Sequence, residues 1–251
     1  MTIRTKSIAI AIVDTENHVL ASQALVHSCN LFPPDQIIIF SDDESKWNGL
    51  EVHKIPKIEK IDDYNRIITK ELAIKLRCDF VLVIQYDGFI INPSEFSNIF
   101  LHYDYIGAPW PHFKEFNVGN GGFSLRSRKL VELVAKLPYP DLSYPEDLYI
   151  CRTLRSELEM SGARFAPSEL AKHFSVENPA VPWDTFGFHG VFHLPQVYRS
   201  SMRFLMENIS RRLLIQRESL FKSAVASIDA SYLRYFESYA TEQLGSRPDT
   251  Q

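Results

Sequence analysis

Asp87 stands where an apolar run breaks. Phe80-Val-Leu-Val-Ile84 leads into Gln85-Tyr86-Asp87-Gly88, after which Phe89, Ile90 and Ile91 are apolar again. Packing gives no reason for a carboxylate there, because an unpaired ionised Asp is costly to bury. The carboxyl ends of strands in α/β sheets, however, are where ligands bind. The competing reading is an Asp-Gly turn joining two strands. Three further clusters carry residues of chemical use: the loop Asn117-Val-Gly-Asn-Gly-Gly-Phe-Ser124, the pair Glu146-Asp147 behind Pro145, and Phe186-Gly-Phe-His189-Gly190. Glycines let backbone N–H groups approach a ligand, a carboxylate can act as general base, and an imidazole can serve a transition metal. Each also has a plain explanation: a turn, acidic charge at a helix start, or a packed core histidine.

The elements that must position these residues follow from periodicity. Ser7 to Val13 reads as a buried parallel strand ending at Asp14-Thr15. Asn17 to Phe32 has helical spacing and stops at Pro33-Pro34. Gln36 to Phe40 is a second strand ending at Ser41-Asp42-Asp43. A turn at Asn48-Gly49 precedes a short strand, Glu51 to Ile55. Asp62 to Leu76 is an amphipathic helix leading to the Phe80 strand. Strand-helix-strand repetition with carboxylates at the strand ends predicts an open α/β sheet with right-handed crossovers. Residues 1–110 then form a nucleotide-binding half on the strand-end rule. Beyond Pro109-Trp110-Pro111 come loops, a helix from Ser127 to Leu137, and another from Glu146 to Met160 opened by Pro145.

From Tyr198 to Leu244 the sequence is helical in propensity, with Met202, Leu205, Ile209, Leu213 and Leu220 recurring on one face; Gly245 to Gln251 reads as frayed. This extension carries Arg203, Arg211, Arg212, Arg217 and Lys222 against Glu207 and Glu218. A basic amphipathic helix can rest on an anionic membrane; the modest charge balance favours packing on the catalytic domain or on a second subunit.

Composition narrows the classes. The 251 residues are 45% hydrophobic, enough for a substantial core, and a net charge of −4 recruits no nucleic acid. The eight histidines form no metal-finger spacing. Cys29, Cys78 and Cys151 are an odd number without CxxC spacing, the pattern of buried free thiols in a reducing compartment. The N-terminus lacks a signal-peptide shape, and no segment approaches the roughly 18 apolar residues of a membrane span. The expectation is a soluble, cytoplasmic protein, with any membrane contact peripheral and on the inner face.

The order and types of the clusters resemble the GT-A glycosyltransferases, and most closely a bacterial group of uncharacterised GT-A-like proteins sharing a Gln-x-Asp motif. The matching residues are Gln85-Tyr-Asp87, Asn120-Gly-Gly-Phe-Ser-Leu-Arg126, Pro145-Glu-Asp147 and His173-Phe-Ser-Val-Glu177. The resemblance runs from Ser7 to Leu194. It implies a mixed central sheet flanked by helices in a domain spanning residues 1–197, with the acceptor half at 111–197 and a helical extension at 198–251. It also implies transfer of a sugar, hexosyl or related, from a nucleotide-sugar (a UDP-sugar first) to a glycan or lipid-linked glycan, with inversion. The setting would be bacterial surface polysaccharide assembly.

Such enzymes often hold Mn²⁺ or Mg²⁺ with an Asp-x-Asp motif. Hard oxygen ligands suit that cation, which bridges phosphate oxygens. Here Gln85 replaces the first carboxylate. Asp87 is then the principal metal ligand, with His189 the first candidate for a later histidine ligand and His173 the alternative. Without a histidine ligand, Arg66 and Arg126 would meet the diphosphate charge. By the closest match Asp147 is the base and Glu146 orients acceptor or sugar hydroxyls. Asn120, Gly121 and Gly122 line the donor sugar, and Gln85 can hydrogen-bond ribose or sugar. Asp14 and Thr15 end the first strand, where GT-A folds receive base and ribose; Asp42 could do similar work or be a solvated loop residue. Trp110 and Trp183 are either sugar-stacking aromatics or core. A retaining transferase, which would need no base, is the alternative to inversion, and two rival functions stand beside sugar transfer. A sugar nucleotidyltransferase would need a glycine- and Lys/Arg-rich loop where Asp14-Thr-Glu-Asn stands. A non-catalytic nucleotide- or glycan-binding module would have lost a metal carboxylate.

Overall fold

Ile8-Ala-Ile-Ala-Ile-Val13 has no polar residue, the pattern of a strand covered on both faces, and all six residues of β1 (Ile8–Val13) are buried. A computed structural model describes residues 5–140, 143–177, 184–214 and 217–234. The chain divides into two compact units, Met1–His189 and Gly190–Gln251.

In the first unit, α1 (His18–Leu31) returns the chain to β2 (Gln36–Ser41), which pairs in parallel with β1 and with the short β3 (His53–Lys54). The Asn48-Gly49 turn forms as its residue types require, with φ of 53° and 79°. The predicted third strand is shorter than expected, two residues rather than five. The helix predicted over Asp62–Leu76 is α2 (Ile61–Arg66), a π turn (Ile67–Glu71) and α3 (Leu72–Lys75). β4 (Phe80–Ile84) follows, parallel to β1. After β5 (Tyr105–Ile106), β6 (Ser124–Ser127) runs antiparallel between β4 and β5, so the sheet order is β3-β2-β1-β4-β6-β5.

The two faces of the sheet follow strand alternation. Ile8, Ile10, Ile12, Leu82 and Ile84 pack with Ala21 and Leu25 of α1. Ala9, Ala11, Val13, Val81 and Val83 pack with Ile67, Ile68 and Leu72 of the π-interrupted helix. Ser127 caps α4 (Arg128–Lys136), accepting the Leu130 N–H at 3.1 Å. The helix predicted over Glu146–Met160 is likewise segmented: α5 (Glu146–Leu148), a π turn (Tyr149–Thr153) and α6 (Arg155–Met160). Then come α7 (Ser168–Phe174), β7 (Ser175–Val176) and β8 (Gly187–Phe188), the last two paired in parallel. Cys78 and Cys151 are buried free thiols and Cys29 is half-buried.

The second unit contains α8 (Leu194–Val197), α9 (Met202–Asn208), α10 (Arg211–Leu214) and α11 (Glu218–Asp229). Met202, Leu205, Ile209, Phe221 and Val225 are buried. Arg203 pairs with Glu207 and Lys222 with Glu218, each at 2.8 Å. Trp183, the side chain of Leu213 and everything beyond residue 234, including Leu244 and Gly245–Gln251, lie outside the described residues. Among those described, no helix is long and apolar enough to cross a membrane.

Candidate functional site

The Phe80 strand delivers Asp87 to the carboxyl edge of the sheet by a two-residue reversal. The Gln85 N–H donates to the Gly88 carbonyl at 2.8 Å and the Gly88 N–H to the Gln85 carbonyl at 3.1 Å. The expected Asp-Gly turn is therefore present, and it is this turn that carries Asp87. Asp87 is 7% exposed, and its Oδ1 has no hydrogen-bond partner. That atom lies 3.8 Å from Nε2 of His189. Burial pushes the Asp87 carboxyl above its ordinary range, against the pull of His189. Burial alone would lower the His189 imidazole; the Asp87 and Glu177 carboxylates outweigh it and raise the net value. Nδ1 of His189 is 3.9 Å from Glu177 Oε1, so Glu177 stands behind the ring.

Gln85 joins this group from the other side. Its Oε1 is 3.1 Å from His189 Nε2, and its amide nitrogen donates to the Tyr64 hydroxyl at 2.8 Å. The closeness depends on Gly122, where a Cβ would overlap the His189 ring and lie 2.7 Å from Gln85 Oε1.

A second centre lies at Asp147, on the first turn of α5. Its Oδ2 accepts the Gly121 N–H and its Oδ1 the Leu148 N–H, both at 2.7 Å. Burial, then the adjacent Glu146 carboxylate, pushes the Asp147 carboxyl up to about 6 despite those two donors. Glu146 is placed differently from the expectation. Its carboxylate is buried and both oxygens accept from Arg126, at 2.7 and 3.0 Å, in a bidentate pair. Arg126 is thereby held inside the fold and does not face outward as a counter-charge for diphosphate. A Cβ on Gly121 would overlap Glu146 Oε1, so this glycine too is set by a close approach. Asn120, between the clusters, has a left-handed φ of 60° and a buried Oδ1 without a partner. Such strain in a non-glycine residue clusters at ligand sites.

The strand ends β1 and β2 hold the remaining candidates. Asp14 Oδ1 accepts the N–H groups of Glu16 and Asn17 at 2.9 and 2.7 Å, and burial raises its carboxyl to about 6. Thr15 Oγ1 accepts the Ile58 N–H at 3.0 Å. Asp42 is not simply solvated: its Oδ1 is 2.7 Å from His18 Nε2. Arg66 is half-exposed, bonded to Asp62 at 3.0 Å, and lies over the Tyr139 ring. Of the two histidines, His189 stands beside Asp87, while His173 is exposed on α7 and offers its backbone carbonyl to Phe186. Trp110 is buried against Phe113 and lies where a Cβ on Gly119 would be; it supports the glycine loop from beneath.

Sequence reasoning gave no role to Tyr64 or Glu177. Glu177 ended one matched motif, which was its only signal; Tyr64 had none beyond its helix face.

The residues around Asp87 fit a divalent cation. Asp87 Oδ1 is an orphaned buried acceptor, and Gln85 Oε1 and His189 Nε2 complete an oxygen and nitrogen donor set suited to Mn²⁺ or Mg²⁺. Among the described residues no three His, Cys, Asp or Glu side chains gather to hold a metal ion. The protein would therefore supply only part of the coordination shell.

A family model described as "Protein of unknown function (DUF5672)" matches residues 49–189, more than half of the sequence, and the chain belongs to that family. No curated protein matches it. Among solved structures, the chain is similar to a glycosyltransferase involved in the glycosylation of the major capsid of PBCV-1: 11% identity, TM-score 0.50, covering 73% of this chain and 93% of that one. Glucosyl-3-phosphoglycerate synthase from Mycobacterium tuberculosis, solved with Mn²⁺, UDP and phosphoglyceric acid, aligns at 12% identity over 64% of this chain and 68% of that one, TM-score 0.45. The fold is that of the GT-A glycosyltransferases, a mixed central sheet flanked by helices.

Proposed function

We propose that this member of the DUF5672 family transfers a sugar from a nucleoside-diphosphate sugar, a UDP-sugar first among them, to a hydroxyl of an acceptor glycan with inversion. One observation carries the reading: two adjacent glycines abut two different centres. Gly122 lies against His189 and Gln85 beside Asp87, and Gly121 lies against Asp147. A donor lying along this loop would present its diphosphate to one centre and its anomeric carbon to the other.

Asp147 is the base in this proposal. Its carboxylate takes the acceptor hydroxyl proton as that oxygen bonds to the anomeric carbon; the bond to the diphosphate breaks and its electron pair leaves with the phosphate oxygen. A carboxyl raised toward working pH suits that task. Asp87 and His189, with Gln85, would hold Mn²⁺ or Mg²⁺, which when bound neutralises charge on the leaving diphosphate. Asp14, Thr15 and Asp42 would border the nucleoside, and the Asn120 amide would meet the sugar. Surface polysaccharide assembly would supply a glycan or lipid-linked acceptor.

The test needs no knowledge of the acceptor. A hydrolysis screen across nucleotide-sugars should find one slowly cleaved donor, and calorimetry with UDP and GDP, with and without Mn²⁺, should show binding of the matching nucleotide. Absence of both would remove the enzyme reading and leave a binding module of other specificity.

A further inference from the structure

The buried pair Arg126–Glu146 has a geometry that the proposed chemistry does not use. Arg126 sits mid-strand in β6, between Val81 of β4 and Tyr105 of β5, and is 2% exposed. Its Nε donates to Ser124 Oγ at 2.9 Å, its two terminal nitrogens grip Glu146, and Nη2 also reaches the Gly121 carbonyl at 3.3 Å. Gly121 is thus held at both ends of its backbone: the carbonyl by Arg126, the N–H by Asp147. Glu146 is anchored in turn through its own N–H, which donates to Asn65 Oδ1 at 3.0 Å. Buried ion pairs are weak contributors to stability, and apolar replacements often do as well. A pair that survives at the foot of a site therefore calls for another reason.

We infer, on the reading of Asp147 as base, that Arg126 and Glu146 are positioning residues whose ion pair locks the glycine loop to Asp147 and sets the electrostatic surroundings of its carboxylate. The opposed charges act on Asp147 from two elements, Glu146 from its own helix and Arg126 from β6. The other titratable groups facing it are Tyr64 from α2, Tyr105 from β5, Cys151 from the π turn and His189 after β8. Glu146 favours the protonated form and Arg126 the ionised one, so removing each should move Asp147 in opposite directions. General loosening of the site would move it the same way in both variants.

The experiment is a ¹³C carboxyl titration of aspartate-labelled protein by NMR, with the Asp147 resonance assigned from its loss in Asp147→Asn. Glu146→Gln should lower the midpoint by about one unit and Arg126→Gln should raise it by about one unit; the double variant should return it to within about half a unit of wild type. Shifts of the same sign, or no shift in either, would overturn the inference. Should Arg126→Gln fail to fold, the other two variants decide alone: a fall followed by a return supports the pair, and any other outcome overturns it. The titration reads no activity, so its result is independent of the base assignment. Undiminished transfer by Asp147→Asn would remove the base role and leave the titration result standing.

Discussion

Burial raises the carboxyls of both Asp87 and Asp147, yet their oxygens are satisfied in opposite ways. Asp87 leaves Oδ1 unpartnered beside an imidazole, whereas Asp147 has each oxygen on a backbone N–H. An orphaned buried acceptor is costly unless something arrives to use it, which fits a cation. A carboxylate held by two backbone donors keeps a fixed direction while its proton exchanges, which fits a base. Burial alone does not separate the two proposed roles; in this proposal they are separated by the partners of each oxygen.

The largest expected effect separates the two centres kinetically. Asp147→Asn should lower kcat by about 10²–10⁴ and leave Mn²⁺-dependent UDP binding unchanged by calorimetry. Asp87→Asn should weaken that metal-dependent binding by at least about tenfold, on the scale seen when metal surroundings are altered. Equal loss of binding in both variants would erase the distinction between them.

The glycines offer a sharper version of the same contrast. Gly122→Ala places a methyl into His189 and Gln85 and should weaken nucleotide binding. Gly121→Ala places it into Glu146 and should reduce turnover instead. Each should destabilise the fold by about 1–3 kcal/mol through overpacking, measurable by denaturant unfolding.

A third prediction concerns pH. Asp147 has a folded value raised to about 6 from 3.8, so its contribution to stability is fully present below 3.8 and is lost as pH rises through about 6. Activity requires the ionised form and should fall as pH drops through the same window. Asp147→Asn should therefore be more stable than wild type at pH 8, with the gap closing on acidification to pH 4; a constant gap in Tm would contradict the shift. Asp14, also raised to about 6, adds to the wild-type trend but cancels in this difference. The smallest effect is reserved for His173. Its ring is exposed on α7, so His173→Ala should change metal-dependent binding by less than about twofold, whereas His189→Ala should abolish it.

Much of the frame was legible locally. Ile8–Val13 and Phe80–Ile84 announce buried strands by unbroken apolar runs, and Asn48-Gly49 announces its turn by residue type. The helices were legible in extent but not in form: the π turns at Ile67–Glu71 and Tyr149–Thr153 are single-turn insertions that side-chain periodicity does not announce. Glu146 shows where local reading ends. Next to Asp147 in sequence it looks like a second catalytic carboxylate. Only the fold brings Arg126 twenty residues away onto both of its oxygens.

The sequence by itself determined where β1, β2 and β4 end, the glycine loop and the identity of the carboxylates, since these depend on residue type and near-neighbour spacing; it did not announce β5 or β6, whose place in the sheet is set by pairing. Tertiary structure decided which histidine meets Asp87, which acid is bound by an arginine, and which carboxylate oxygen is left without a donor. His189 and Gln85 are separated by 104 positions and meet at 3.1 Å. Such contacts are fixed by how strands and helices pack, and no local periodicity encodes them.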